Sequence, residues 1–193
     1  FQNPDVRFIN INVAEFDSHK HCALPITSDA RSCLEELYNK LTGYRVPVEY
    51  RSRIVQLNES WDNMVSDFYR VTGNIPVSQA EVVGAVNEFS GPRDVVLCAA
   101  GSLPGDLHKL WRTVDSKGFH LEYGYSTMGY ECAAGIGAKM ACPDREIYVM
   151  VGDGNYLMMN NEIVTAIQEG IKFTIILLNN NGFGSIGNLS QSV

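Results

Sequence analysis

An aspartate and an asparagine, 27 positions apart, carry the chemistry most readily read from this chain. Asp153 stands in the run Gly152-Asp153-Gly154-Asn155, and Asn180 in Asn179-Asn180-Asn181-Gly182. A carboxylate and an amide oxygen are both hard ligands. Mg2+ prefers six oxygens and usually takes one or two protein groups together with phosphate oxygens, which suits this pair. Gly154 allows the backbone to turn closely against a phosphate, and the N–H groups of Gly154 and Asn155 open the following helix, where unpaired donors and the helix dipole favour an anion. The spacing therefore predicts a site for a metal diphosphate. Taken singly, the first run is a tight turn and the second a loop; their joint spacing is what favours the functional reading. The nucleotide-binding glycine motifs GxGxxG and GxxxxGK[ST] are read as absent and so offer no competition.

Those two residues need elements to hold them. The apolar run Ile147–Val151 reads as a buried parallel strand ending at Asp153, and Phe173–Leu178 as a second ending at Asn180. Between them the amphipathic stretch bearing Leu157, Ile163, Val164 and Ile167 runs to Gly170, long enough for one crossover helix. Both side chains then emerge at carboxyl ends of adjacent parallel strands. Upstream, Asp94–Gly101 reads as the first strand of the same domain, turning at Gly101-Ser102-Leu103 into a helix that contains Trp111; such strand ends are where ligands collect. Ser78-Gln-Ala-Glu81 is a capping box, so the domain starts near Val77. Earlier still, Val6–Val13 reads as a strand and Asp29–Leu41 as a helix capped by Ser28. Gly43–Arg53 reads as a linker containing Pro47, and Glu59–Tyr69 as a surface helix. The expected fold is α/β, an open parallel sheet flanked by helices over 77–193, preceded by the end of a second α/β domain (1–45) and a linker with a helix (46–76).

With 193 residues, 45% hydrophobic and 19% charged, the chain can bury one full core and part of another. No apolar run reaches the length of a membrane span, and Phe1-Gln-Asn-Pro-Asp lacks the basic and apolar regions of a signal peptide, so the start reads as the interior of a longer protein. A formal charge of -7 argues against a nucleic-acid surface. Cys22, Cys33, Cys98, Cys132 and Cys142 are odd in number and lack CxxC spacing, which points away from zinc and disulfides and toward a reducing cytoplasm. Cys98 and Cys132 read as buried, inert thiols. His19 and His21 read as solvated, whereas His108 and His120 lie either near the site or on a helix surface and a strand edge. Phe183 either faces substrate or packs; Glu131 and Glu162 read as structural.

The spacing of GDG, about 26 residues and then NN resembles the cofactor motif of thiamine diphosphate enzymes. Tyr123-Gly-Tyr-Ser-Thr-Met-Gly-Tyr130, followed by Ala133-Ala-Gly-Ile-Gly-Ala-Lys139, is similar to the segment that holds the aminopyrimidine ring in that superfamily. Within it, the stretch from Val71 to Val193 most resembles the trihydroxycyclohexane-1,2-dione hydrolases of myo-inositol catabolism. Gly101-Ser-Leu-Pro-Gly-Asp-Leu-His-Lys-Leu-Trp111 and Asn179-Asn-Asn-Gly-Phe-Gly-Ser-Ile-Gly187 carry that likeness.

The resemblance implies thiamine diphosphate and Mg2+ as cofactors, with Asp153, Asn180 and Gly182 on the metal and Gly152, Gly154 and Asn155 beside the cofactor. Ser102 and the Leu103 backbone would hold the diphosphate, although the Gln-His pair found at that turn in acetolactate synthases is absent. Met128, otherwise core filler, would sit beneath the cofactor and fold its two rings into a V. The Ser126 carbonyl would accept from the exocyclic amine. The cofactor supplies a C2 carbanion and the protein supplies placement. The implied reaction is hydrolytic C–C cleavage of 3D-(3,5/4)-trihydroxycyclohexane-1,2-dione to 5-deoxyglucuronate. Its catalytic glutamate would come from the pyrimidine-binding domain of a partner subunit, so the chain reads as part of a homo-oligomeric enzyme of about three domains, inactive by itself. A carboligase such as acetolactate synthase and a non-catalytic module binding metal and diphosphate are the alternatives.

Overall fold

The computed structural model describes residues 3–191. Contacts divide the chain into two compact units, Phe1–Leu57 and Asn58–Val193. In the first, strands β1 (Ile9–Asn12) and β2 (Leu24–Thr27) pair in parallel, with Ile9 opposite Leu24 and Asn12 opposite Thr27. Helix α1 (Glu15–Ser18) and a 3-10 turn (Lys20–Cys22) connect them, and helix α2 (Ala30–Lys40) comes next. The first strand is shorter than the expected Val6–Val13. The second was not expected, because Pro25 within a four-residue run argues against a strand except at a sheet edge. The cap of α2 is Asp29, not Ser28. Asp29 is the extended residue next to the first helical one, and its carboxylate accepts the Ser32 N–H at 3.0 Å. The Ser28 hydroxyl instead donates to the Asp29 carbonyl at 3.2 Å.

Helix α3 (Val48–Tyr69) starts inside the stretch expected to be a linker. Pro47 marks its beginning, since the missing N–H lies where a helix has no partner for it, and no glycine or proline interrupts the run from Val48 to Tyr69. Its last turns bury Val65 and Tyr69 in the second unit. Helix α4 (Gln79–Phe89) opens with the expected capping box: the Ser78 hydroxyl accepts the Glu81 N–H, and the Glu81 carboxylate accepts the Ser78 N–H. A methyl group on Gly84 would lie 2.5 Å from Cγ of Tyr69, so glycine is what lets the two helices approach.

The sheet and its helices occupy the rest of the chain: β3 (Val95–Cys98), helix α5 (Leu103–Leu110), β4 (Phe119–Leu121), helix α6 (Tyr130–Ala141), β5 (Ile147–Gly152), helices α7 (Asp153–Met159) and α8 (Glu162–Gln168), β6 (Thr174–Leu178) and helix α9 (Gly184–Gln191). All four strands are parallel, in the order β4-β3-β5-β6. Val96, Cys98 and Met150 pack on one face with Val83, Leu103 and Leu107 of the flanking helices, together with Val65 and Tyr69. Val95, Leu97, Ile147, Val149 and Val151 pack on the other with Ala134 and Ala138 of α6. Burial of each such aliphatic side chain contributes about 1.5–3 kcal/mol relative to exposure.

Two details differ from expectation. The crossover between β5 and β6 is two short helices, because Asn160 and Asn161 break it into a tight turn with Ile163 N–H bonded to the Asn160 carbonyl and Val164 N–H to that of Asn161. Asparagine competes for backbone groups and terminates helices readily. Trp111 is extended and lies just outside α5. The chain steps from β3 outward to β4, then crosses back to β5 on the other side of β3. That reversal opens a crevice between the carboxyl ends of β3 and β5.

Candidate functional site

A cleft of about 310 Å3 lies at that crevice. Ser102, Leu103, Ser126, Met128, Gly152, Asp153, Gly154, Asn155, Asn180 and Gly182 all line it, so every site residue expected from sequence is brought to one place. Four segments contribute these ten residues: the turn after β3, the loop before α6, the start of α7 and the loop after β6.

The loop after β6 is shaped by its own asparagines. Asn181 adopts φ 63° and Gly182 φ 138°, and the Asn181 N–H is held by Oδ1 of Asn179 at 2.9 Å. Asparagine tolerates the left-handed region better than most residues, and glycine adopts it freely. The reversal brings the Gly182 carbonyl back toward Asn180. One terminal atom of the Asn180 amide then lies 2.7 Å from the Gly182 carbonyl oxygen and 3.0 Å from Oδ1 of Asp153. Nitrogen in that position makes two hydrogen bonds. Oxygen there gathers three acceptors with no proton among them, an arrangement that only a cation satisfies. The residues therefore fit a metal whose remaining ligands come from elsewhere. Among the described residues no group of three His, Cys, Asp or Glu side chains gathers to offer a different metal site.

Anion donors are present beside it. Ser102 precedes α5 without capping it through its side chain, and Gly152 precedes α7 in the same way, so the first N–H groups of both helices remain free of such caps at the cleft. Gly101, at φ 98°, provides the turn into α5. Glycine at 154 also has a steric reason that the sequence did not suggest. A methyl group there would lie 2.6 Å from Cε1 of Phe183, whose ring covers the position. Phe183 thus packs on Gly154 while also lining the cleft.

Asn155 points its side chain away from solvent. Its Nδ2 donates to the Ala100 carbonyl at 3.0 Å and to Oε1 of Glu131 at 2.7 Å, while the same Oε1 accepts the Ala100 N–H at 3.3 Å. Glu131 is completely buried, and its Oε2 has no partner among the described residues. This triangle ties the end of β3 to the start of α7 across the crevice. Its signal in the sequence was a lone acid just before the small-residue run Cys132–Ala138, read only as structural. Gln79 also escaped notice; it lines the cleft and donates to Asp106 at 2.6 Å.

Other side chains fall outside the cleft. His120 pairs with the Tyr130 hydroxyl at 2.9 Å, and the His108 ring lies against Phe119, so both take the helix-surface and strand-edge alternative. His19 and His21 are exposed. Cys98 and Cys132 are buried, and desolvation raises both thiols above their ordinary range, as an inert role requires. One motif needs correction: Gly182-Phe-Gly-Ser-Ile-Gly187 does have GxGxxG spacing, after β6 and at the start of α9. Its first glycine instead turns its carbonyl toward the Asn180 amide.

Residues 99–193 match the family profile described as thiamine pyrophosphate enzyme, C-terminal TPP binding domain. This region is a thiamine pyrophosphate enzyme C-terminal domain. The TPP-binding domain and the residues before it also align with curated relatives. A 3D-(3,5/4)-trihydroxycyclohexane-1,2-dione hydrolase of Clostridium perfringens is 40% identical, covering 100% of this chain and 34% of the relative. The Clostridium tetani protein of that name is 38% identical with the same coverage, and a Bacillus cereus one is 37% identical over 99% of this chain and 33% of its own length. The chain thus spans about a third of the length of these relatives.

Proposed function

We propose that this chain supplies the metal and diphosphate side of a thiamine diphosphate site in a hydrolase that opens a cyclic 1,2-dione, with Mg2+ as the metal. The convergence of Asp153 Oδ1, the Asn180 amide and the Gly182 carbonyl carries the reading. Neighbouring oxygens around octahedral Mg2+, each about 2.0–2.1 Å from the ion, stand roughly 2.9 Å apart. The separations of 2.7 and 3.0 Å suit that geometry. The relatives' name, trihydroxycyclohexanedione hydrolase, supports the substrate class.

Bound thiamine diphosphate supplies a carbon nucleophile and electron sink for cleaving the bond beside a carbonyl. The chain's own residues do the holding. Asp153, Asn180 and Gly182 take the metal, while Ser102 and the N–H groups at the starts of α5 and α7 take the diphosphate oxygens. Met128 supports the ring system, and the Ser126 carbonyl accepts a hydrogen bond from its amine. Among the described residues the sole carboxylate lining the cleft is Asp153, which this reading commits to the metal; the resemblance to thiamine diphosphate enzymes implies that the acid activating the aminopyrimidine comes from a pyrimidine-binding domain of a partner subunit. This division makes the isolated chain a binder without turnover.

Isothermal titration of the chain with thiamine diphosphate tests the reading. Binding is expected only with Mg2+ and is expected to vanish in Asp153→Ala. Affinity that ignores Mg2+, or survives that substitution unchanged, sinks the proposal. For the intact enzyme, consumption of the dione rather than carboligation of pyruvate is the expected activity.

A further inference from the structure

The loop between β4 and α6 carries Ser126 and Met128 into the cleft, and a residue outside the cleft holds it in shape. Glu122 extends the ladder of β4, its N–H bonded to the Cys98 carbonyl at 3.2 Å. Its side chain turns back over the next five residues. Oε1 accepts the Tyr125 N–H at 3.1 Å, and Oε2 accepts the Thr127 N–H at 2.7 Å. These bonds, the one from Thr127 foremost, hold the Glu122 carboxyl below its usual pKa, consistent with an ionised acceptor in the folded loop. Ser126 lies between the two held amides at φ 53°, a conformation that a serine does not adopt without constraint.

Peptide geometry then fixes the neighbouring carbonyl. The Ser126–Thr127 bond is trans, and in a planar trans peptide the N–H and C=O point in opposite directions. With the Thr127 N–H fixed on Glu122, the Ser126 carbonyl must face away from that carboxylate. Ser126 and Met128 line the cleft and Glu122 does not.

We propose that Glu122 is a positioning residue which fixes the Ser126–Thr127 peptide, so that the Ser126 carbonyl stands as an acceptor for the amine of a heterocyclic ligand lying beside Met128. This rests on the thiamine diphosphate reading above and adds the device that makes the site prefer an amine-bearing ring to a bare diphosphate. Loss of the carboxylate frees the peptide to rotate and removes that preference without touching the metal side.

The test compares inorganic pyrophosphate with thiamine diphosphate, both with Mg2+, by calorimetry on the wild-type chain, Glu122→Ala and Glu122→Gln. Wild type is expected to bind thiamine diphosphate more tightly than pyrophosphate. Glu122→Ala should lose about tenfold in affinity for thiamine diphosphate, the contribution of one hydrogen bond, with pyrophosphate affinity and thermal midpoint unchanged. Glu122→Gln, which keeps one acceptor, should fall between. A Glu122→Ala chain with the full preference overturns the inference alone, as does one that loses both ligands together with its thermal midpoint. A wild-type chain that binds neither ligand overturns the cofactor reading itself, and this inference with it.

Discussion

Asn180 differs from the other residues around the cleft in that its two terminal atoms have opposite uses. Turned one way it donates to Asp153 and Gly182; turned the other it presents an oxygen beside theirs. Asn180→Ala should therefore raise the Mg2+ concentration needed for half-maximal thiamine diphosphate binding by at least roughly tenfold, the scale of one polar interaction with a charged group. A Mg2+ titration at fixed cofactor measures it, and an unchanged midpoint would remove Asn180 from the metal site. Asp153 and Asn180 were legible from sequence because each closes an apolar strand. Phe183 over Gly154 was not, since a ring covering a glycine on another element leaves no local trace. The Glu131–Asn155–Ala100 triangle was hidden in the same way: its partners are 24 and 31 residues apart in the chain and meet only through the sheet.

Among the elements, the clearest dependence on conditions lies at the start of α4. Glu81 accepts the N–H of Thr72 at 2.7 Å and of Ser78 at 2.9 Å, and these bonds, with the Ser78 hydroxyl, hold its pKa down to about 2 from an ordinary 4.5. A depressed folded pKa means that the unfolded chain takes up the proton first. The stabilisation is complete above about pH 4.5 and is lost as pH falls toward 2. Thermal midpoints measured across that window should drop for wild type and drop less for Glu81→Gln; parallel curves would show that the box is inert. Local chemistry of this sort reads well from sequence, as the Ser78–Glu81 spacing did. Boundaries that depend on competition read poorly. Asp29 displaced Ser28 as a cap by one position, α3 began well before its aromatic face, and two asparagines divided a crossover that the apolar spacing alone made continuous.

For the whole molecule, the parallel sheet was legible because buried strands leave nearly unbroken apolar runs, whereas the short paired strands of the first unit, only partly buried, leave little pattern. The strand order mattered most for function, and no residue encodes it locally. It arises because the chain steps to β4 on one side of β3 and returns to β5 on the other. Since the cleft lies where the order reverses, a ligand there binds segments from four parts of the second unit and should stabilise that unit as a whole. At a hundredfold excess of free thiamine diphosphate over its dissociation constant, with Mg2+ present, unfolding should become harder by about 2.7 kcal/mol. Differential scanning fluorimetry should show an upward shift in midpoint that grows with ligand concentration, and a midpoint indifferent to ligand would contradict binding at the crevice.

The half-turn available to Asn180 also bears on which ions the site admits. A pocket of three fixed oxygens would repel itself when empty and would accept almost any passing cation to relieve the strain. Here the amide can rotate and satisfy its neighbours with its own protons, so entry begins by breaking two hydrogen bonds, each contributing about 1 kcal/mol. A singly charged ion, bound weakly by one carboxylate and two neutral oxygens, offers little against that loss. A divalent ion arriving with a diphosphate offers far more. In the proposed metal site the side chain would thus act as a threshold, discriminating by charge before size or coordination number enters.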